Sequence, residues 1–271
     1  MKGWTLDDIA WDRFQVNLVD PDTVKVVKAA ALVEHNGWEY AAYLKNVFRD
    51  DPGFCAATDA WAAEEVQHGQ ALRRWAELAD PTFDFDAAFH TFVTGYRLPL
   101  DSQESVRGSR AGELIARCIV ETGTSSWYAA IKDGTQEPVL QQICAAIAAD
   151  ELRHYKLFYS TLKTYLEKDG LGRWQRLRVA ATRLTESEDD ELAYAYYAAN
   201  GTDVPYDRKT NTRAYARRAY AFYRPHHVDR FMAMIFKAIG LTPRGLLHQV
   251  ATKAAWTYMA KRTRMLDKEL A

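Results

Sequence analysis

The sequence predicts an all-α fold. Two antiparallel helical hairpins, joined by one long crossover, make a four-helix bundle with a helical extension behind it. Three observations predict this. Glycine (14) and proline (8) are scarce among the 271 residues, so helix breakers are few. No strand-like alternation lasts more than a few residues, whereas helical patterns dominate the first 170. The connections also suit the topology, with about five residues inside each hairpin and over twenty between them.

The first helix is expected from about Asp22 to Phe48, opened by the capping signal DPDT and closed before RDDPG. The second runs from about Phe54 to Leu78 and stops at ADP. The link Ala79–Asp101 is the crossover, which leaves helices two and three parallel. The third runs from about Ser109 to Lys132 and ends at DGTQEP; the fourth begins near Glu137, with Pro138 in its first turn, and reaches Lys168. Residues 1–170 are thus the bundle and 171–271 the extension. The extension reads as helices at Gly172–Leu184, Glu188–Ala199, Thr212–Tyr223, Val228–Ile239 and Pro243–Met265. Its aromatic set, Tyr194, Tyr196, Tyr197, Tyr220, Phe222, Tyr223, Phe231 and Phe236, is expected in the core of those helices.

An apolar content of 48% with 26% charged residues excludes disorder as the main state. The net charge of −1 excludes a uniformly basic nucleic-acid coat, yet residues 1–170 carry −9 and 171–271 carry +8. Cys55, Cys118 and Cys144 lie far apart with no CxxC, which points to free buried thiols in a reducing compartment and away from a rubredoxin-type iron site. No run approaches ~18 apolar residues, so no membrane span is expected. The N-terminal MKGWTLDDIAWDRF lacks an apolar signal region, and a cytoplasmic location is expected.

Two Glu-x-x-His motifs carry the chemistry, Glu65-Val-Gln-His68 and Glu151-Leu-Arg-His154. On a helix, positions i and i+3 share a face, so each motif aims a carboxylate and an imidazole at one point. Random placement of 15 Glu and 7 His would give fewer than one such pair. Each motif sits near the middle of its helix. Helices one and three carry one notable carboxylate each at their midpoints, Glu34 and Glu121, on mostly apolar faces. A buried, unpaired carboxylate is expensive. Four of them at one height in a bundle are best explained by shared cations, and two divalent ions balance their charge. Carboxylates with imidazoles suit iron or manganese better than magnesium.

The motifs extend further. The stretches TDAWAAEEVQHGQAL (58–72) and QQICAAIAADELRHYKL (141–157), with Glu121 and Thr124 as Glu-x-x-Thr, resemble the ferritin-like di-iron carboxylate superfamily, most closely the soluble acyl-acyl-carrier-protein desaturases. The first-helix ligand of that family is followed six residues on by Tyr, and Tyr40 follows Glu34 so. The resemblance covers about residues 22–160, and the proline that follows the family's first ligand is lacking here.

The resemblance implies a ferritin-like bundle with Glu34, Glu65, His68, Glu121, Glu151 and His154 holding two Fe ions, Mn being the alternative. It also implies that Asp150 holds a metal-bound histidine, a solvated charge being the other reading. Glu64 is considered for the same role, with the solvated reading ahead. Thr124 either back-bonds a helix carbonyl or stands beside the metal pair as a proton donor during dioxygen reduction.

The implied function is a dioxygen-activating oxidoreductase that desaturates or hydroxylates an aliphatic or carrier-bound acyl substrate, drawing electrons from a donor such as ferredoxin. An N-oxygenase or tRNA hydroxylase on the same scaffold and a non-catalytic iron- or peroxide-handling protein are the competing readings. A homodimer is expected, and Arg173, Arg176, Arg178 and Arg183 of the basic extension read as a solvated face, a docking patch for an acidic partner being the other reading. Gly69 reads as a close helix approach or a tolerated helix glycine, His35 as pointing away from the ligand face, and His226, His227 and Asp229 as a turn with exposed histidines, a metal site being the other reading.

Overall fold

The computed structural model describes residues 3–185 and 190–269. These hold eleven α-helices, three short 3-10 turns before residue 20, and no strand. Helix α1 (Pro21–His35) begins where the Asp20 carboxylate accepts the Thr23 N–H at 2.8 Å. Helix α2 (Gly37–Val47) follows after a break at Asn36, so the single helix expected over 22–48 is two. Asn36 and Gly37 are both weak helix formers. Gly37 also lies hard against α3 (Pro52–Ala79): a Cβ there would stand 2.7 Å from the Glu65 Cβ and 3.0 Å from the Ala62 carbonyl. Gly69 makes the same kind of contact from α3, its Cβ position lying 2.5 Å from the His35 backbone nitrogen. The close-approach reading of Gly69 therefore holds.

The long link after α3 contains a helix, α4 (Phe85–Gly95), capped by Asp84. Phe85, Ala88 and Phe92 repeat at helical spacing and are buried. Helices α5 (Arg110–Gly134) and α6 (Pro138–Asp169) form a hairpin whose short link makes them antiparallel. Ser109 caps the first, Glu137 caps the second, and Gly170 at φ +61° ends α6. Then come α7 (Arg173–Thr185), α8 (Asp190–Asn200), α9 (Arg208–Ala221), α10 (Pro225–Ala238) and α11 (Leu246–Glu269). The predicted helix start at Glu188 lies outside the described residues. Helix α8 packs on α1 and α4, α7 and α10 pack on α5, and α11 joins α9 and α10. The aromatic set is buried or half-buried there, as expected. Cys118 and Cys144 are buried free thiols, and Cys55 is a half-buried one.

Two apolar clusters make up the core. One contains Leu32, Leu72, Tyr128 and Ile147; the other contains Leu44, Trp61, Cys118 and Tyr155. Along each of the four chain segments the change from one cluster to the other falls at the same kind of residue: Glu34, then Glu65 and His68, then Glu121, then Glu151 and His154. A polar layer therefore cuts the core in two. No helix among the described residues is long and apolar enough to cross a membrane.

Replacing Gly69 with Ala forces α1 and α3 apart against backbone atoms that have no rotamer to yield. The expected cost is about 1–3 kcal/mol. It should appear as a lower urea midpoint with an unchanged denaturant slope.

Candidate metal centre

The polar layer brings all six predicted ligands together, all buried. One atom each from Glu34, Glu65, His68 and Glu151 lie within 4.8 Å of one another, and so do atoms from Glu65, Glu121, Glu151 and His154. Glu65 and Glu151 belong to both groups. Each group could hold a metal ion, and the two groups share two carboxylates.

The fit to a cation rests on what these atoms lack. Glu34 Oε2, Glu65 Oε1, His68 Nδ1, Glu121 Oε2, Glu151 Oε1 and His154 Nδ1 are buried without a hydrogen-bond partner. Each of the six residues contributes one such atom. His68 Nδ1 lies 3.4 Å from Glu34 Oε2 and 3.3 Å from Glu151 Oε1. His154 Nδ1 lies 3.0 Å from Glu65 Oε1 and 3.5 Å from Glu121 Oε2. None of these approaches has hydrogen-bond geometry. Other buried carboxylates behave differently. Glu137 accepts from Trp75 Nε1 at 2.7 Å and from its own helix start, and Glu113 accepts from Tyr43 at 2.9 Å and Ser105 at 2.7 Å. Burial alone does not orphan a carboxylate in this fold; the convergence does.

The outer nitrogens are held. His68 Nε2 meets Asp150 Oδ2 at 3.0 Å, and His154 Nε2 meets Glu64 Oε2 at 2.9 Å. A carboxylate at Nε2 keeps the proton there and turns the Nδ1 lone pair into the layer. Asp150 is buried and holds His68. Glu64, whose solvated reading stood ahead, does both: it is half-exposed and still holds His154. Arg153 joins the two supports, with Nη1 donating to Asp150 Oδ1 and Nη2 to Glu64 Oε2 at 3.1 Å.

Thr124 back-bonds within its helix and also reaches the polar layer. Its hydroxyl lies 3.2 Å from the Val120 carbonyl, 3.1 Å from the Glu121 carbonyl and 2.5 Å from Glu151 Oε2. One hydroxyl proton serves one acceptor at a time, and the carboxylate is nearest.

Three partners escaped the sequence reading. Tyr128 donates to Glu34 Oε1 at 2.5 Å, which leaves Oε2 to face the layer. Its i+7 spacing from Glu121 was the available signal. Trp4 stacks on His68 at 6.1 Å and donates to Asp150 Oδ2 at 2.8 Å, the second contact spanning 146 residues that no local pattern announces. Arg153 lay inside the motif but carried no distinguishing spacing.

His35 packs edge-on against Phe85 and Phe89, away from the layer. The exposed-histidine expectation fails for His227. It is buried, its Nδ1 accepts the Arg224 N–H at 3.0 Å at the start of α10, and its Nε2 faces Asp133 at 3.0 Å rather than Asp229. A histidine whose Nδ1 accepts carries its proton on Nε2, so this ring is spent on capping. His226 is exposed as expected.

Burial pushes Glu65 well above the usual carboxylate range, and the charges of Glu151 and Glu34 add to it. Burial likewise pushes Glu151 up to about 8. Burial works against Glu34 too, but the nearby His68 and the bond from Tyr128 outweigh it and hold it low. Burial disfavours the imidazolium of His68 and of His154, yet the surrounding carboxylates overcome it and raise both. The layer alone therefore retains protons that the unfolded chain has released.

No protein-family model matches this sequence, and no curated protein matches it significantly.

Two divalent ions per chain are expected on anaerobic ferrous or manganous reconstitution, counted by plasma emission. His68→Ala and His154→Ala should each bring the count to one or fewer. A second expectation concerns pH. Raised folded values stabilise the protein fully below the unfolded values of about 4.5 for Glu and 6.5 for His, and this stability is lost as pH rises through the folded values. Metal-free protein should melt at a lower temperature near pH 9 than near pH 6, and saturating cation should shrink the difference by replacing the protons.

Proposed function

We propose that this chain is a ferritin-like four-helix bundle holding two iron ions, manganese being the alternative, and that it oxidises an aliphatic or acyl substrate with dioxygen. The observation that carries the reading is the convergence of six orphaned atoms in two groups sharing Glu65 and Glu151. Glu34 and His68 would hold one ion, Glu121 and His154 the other, and the two shared carboxylates both. Bound there, the ions supply the redox chemistry that dioxygen reduction needs.

The chain's own residues do the rest. Asp150 and Glu64 fix the tautomers of the two histidines. Tyr128 orients Glu34, and the apolar clusters on either side keep bulk water from the layer. Thr124 holds a proton at Oγ1, beside Glu151 Oε2. In desaturation two hydrogens leave adjacent carbons, and with two external electrons and two protons one dioxygen becomes two waters. In hydroxylation one oxygen atom enters a C–H bond and the other leaves as a single water. The external electrons come from a one-electron donor such as a ferredoxin. The extension, with a net charge of +8, suits such an acidic donor or an acidic acyl carrier. The same charge favours a second reading, a hydroxylase acting on tRNA.

Reaction under isotopically labelled dioxygen separates the outcomes, since only oxygenation leaves label in the product. Thr124→Val keeps shape and removes the hydroxyl. It should retain metal and melting temperature, slow oxygen-dependent turnover about 10- to 100-fold, and release more hydrogen peroxide. Wild-type turnover with no extra peroxide would reduce Thr124 to a helix residue.

A further inference from the structure

Eleven large apolar side chains are strongly exposed among the described residues, and five of them lie on α11: Leu246 (81%), Leu247 (61%), Val250 (66%), Tyr258 (60%) and Met265 (44%). The other side of this helix is engaged, with His248 and Leu266 buried and Trp256 and Met259 packed into the core. The exposed side also carries Lys253, Lys261, Arg264 and Lys268. At 3.6 residues per turn these side chains fall in one continuous sector. The single acidic side chain between 246 and 268, Asp267, is paired with Arg217 at 2.9 Å. The turn ahead of α11 meets α7, because the Cβ position of Gly240 lies 3.1 Å from Arg176 Nη1. Two residues before Arg176 stands Trp174, which is 84% exposed, next to the exposed Arg173.

An apolar sector interleaved with cations and lacking an unpaired carboxylate has a particular complement. Aliphatic side chains gain by entering the acyl boundary of a bilayer, and Lys and Arg gain by meeting anionic headgroups. A two-fold contact with a second copy would set four cations against four. A nucleic acid would meet the cations and leave Leu246, Leu247 and Val250 in water. We propose that α11, with the first turn of α7, lies on the surface of a bilayer rich in anionic lipid without crossing it. None of these residues belongs to the metal centre, so the reading of that centre stands or falls separately, while these cations are part of the extension's positive charge.

The test is co-sedimentation of the full chain with vesicles of phosphatidylcholine alone or with about 30% phosphatidylglycerol. Binding to the anionic vesicles alone is expected, and it should weaken as salt rises. The triple variant L246E/L247E/V250E should weaken binding at least about tenfold, and K253E/K261E/R264E/K268E by about 100-fold or more. Both should keep the wild-type circular-dichroism melt, and the single variant L247E, weakened in the same direction, serves should the triple variant not fold. Equal binding to both vesicle types, no vesicle binding, or unchanged binding by the apolar variants would overturn the proposal. So would a concentration-dependent dimer in sedimentation equilibrium that the triple variant loses, or retention on duplex RNA without retention on vesicles.

Discussion

Four carboxylates and two imidazoles face one another across the interior of this protein, each with an atom that no donor or acceptor of the chain answers. Ionised groups cannot be stored that way at low cost. They must take protons or meet cations, and the raised affinity of Glu65 and Glu151 for protons is the first of these responses. The rest of the fold is arranged around that constraint. Gly37 and Gly69 let α2 and α1 lie directly on α3, setting Glu34 at the height of Glu65 and His68. The apolar clusters end where the layer begins.

The supports around the layer bind it to distant parts of the chain. Arg153 bridges Asp150 and Glu64, so the two histidines are oriented through one guanidinium. Trp4 brings the start of the chain over His68, and Gln67 Nε2 donates to the Trp4 carbonyl at 3.0 Å to hold it there. Along the same segment the Ala10 N–H reaches Gln142 at 2.9 Å and the Gln15 N–H reaches Glu137 at 3.2 Å. The N-terminal turns thus run along α6 as a strap fastened at several points.

What was legible beforehand followed from periodicity. The two Glu-x-x-His motifs were readable because i and i+3 share a helix face, and Glu34 and Glu121 because each interrupts an apolar face at mid-helix. The helix ends were readable from Asp20, Ser109, Glu137 and Gly170, whose chemistry acts locally. Features decided by tertiary contact were not. The break at Asn36 depends on how closely α2 meets α3, the role of Trp4 on a residue 146 positions away, and the burial of His227 on Asp133 of another helix. Helix α4 is a different case, since Phe85, Ala88 and Phe92 carry the helical period inside a link that would be long enough without a helix.

The unequal surroundings of the two histidines have a kinetic side. The outer nitrogen of His154 rests on Glu64, which is open to water, whereas that of His68 rests on Asp150 beneath the stacked ring of Trp4. Solvent can trade hydrogen with the first across one carboxylate. The second lies behind Asp150, which is buried and bonded by Trp4, so access there is expected to depend on the N-terminal strap. Two rings 5.7 Å apart, alike in sequence motif and in chemistry, are therefore expected to keep different clocks, one set by the surface and the other by a segment fastened to α6.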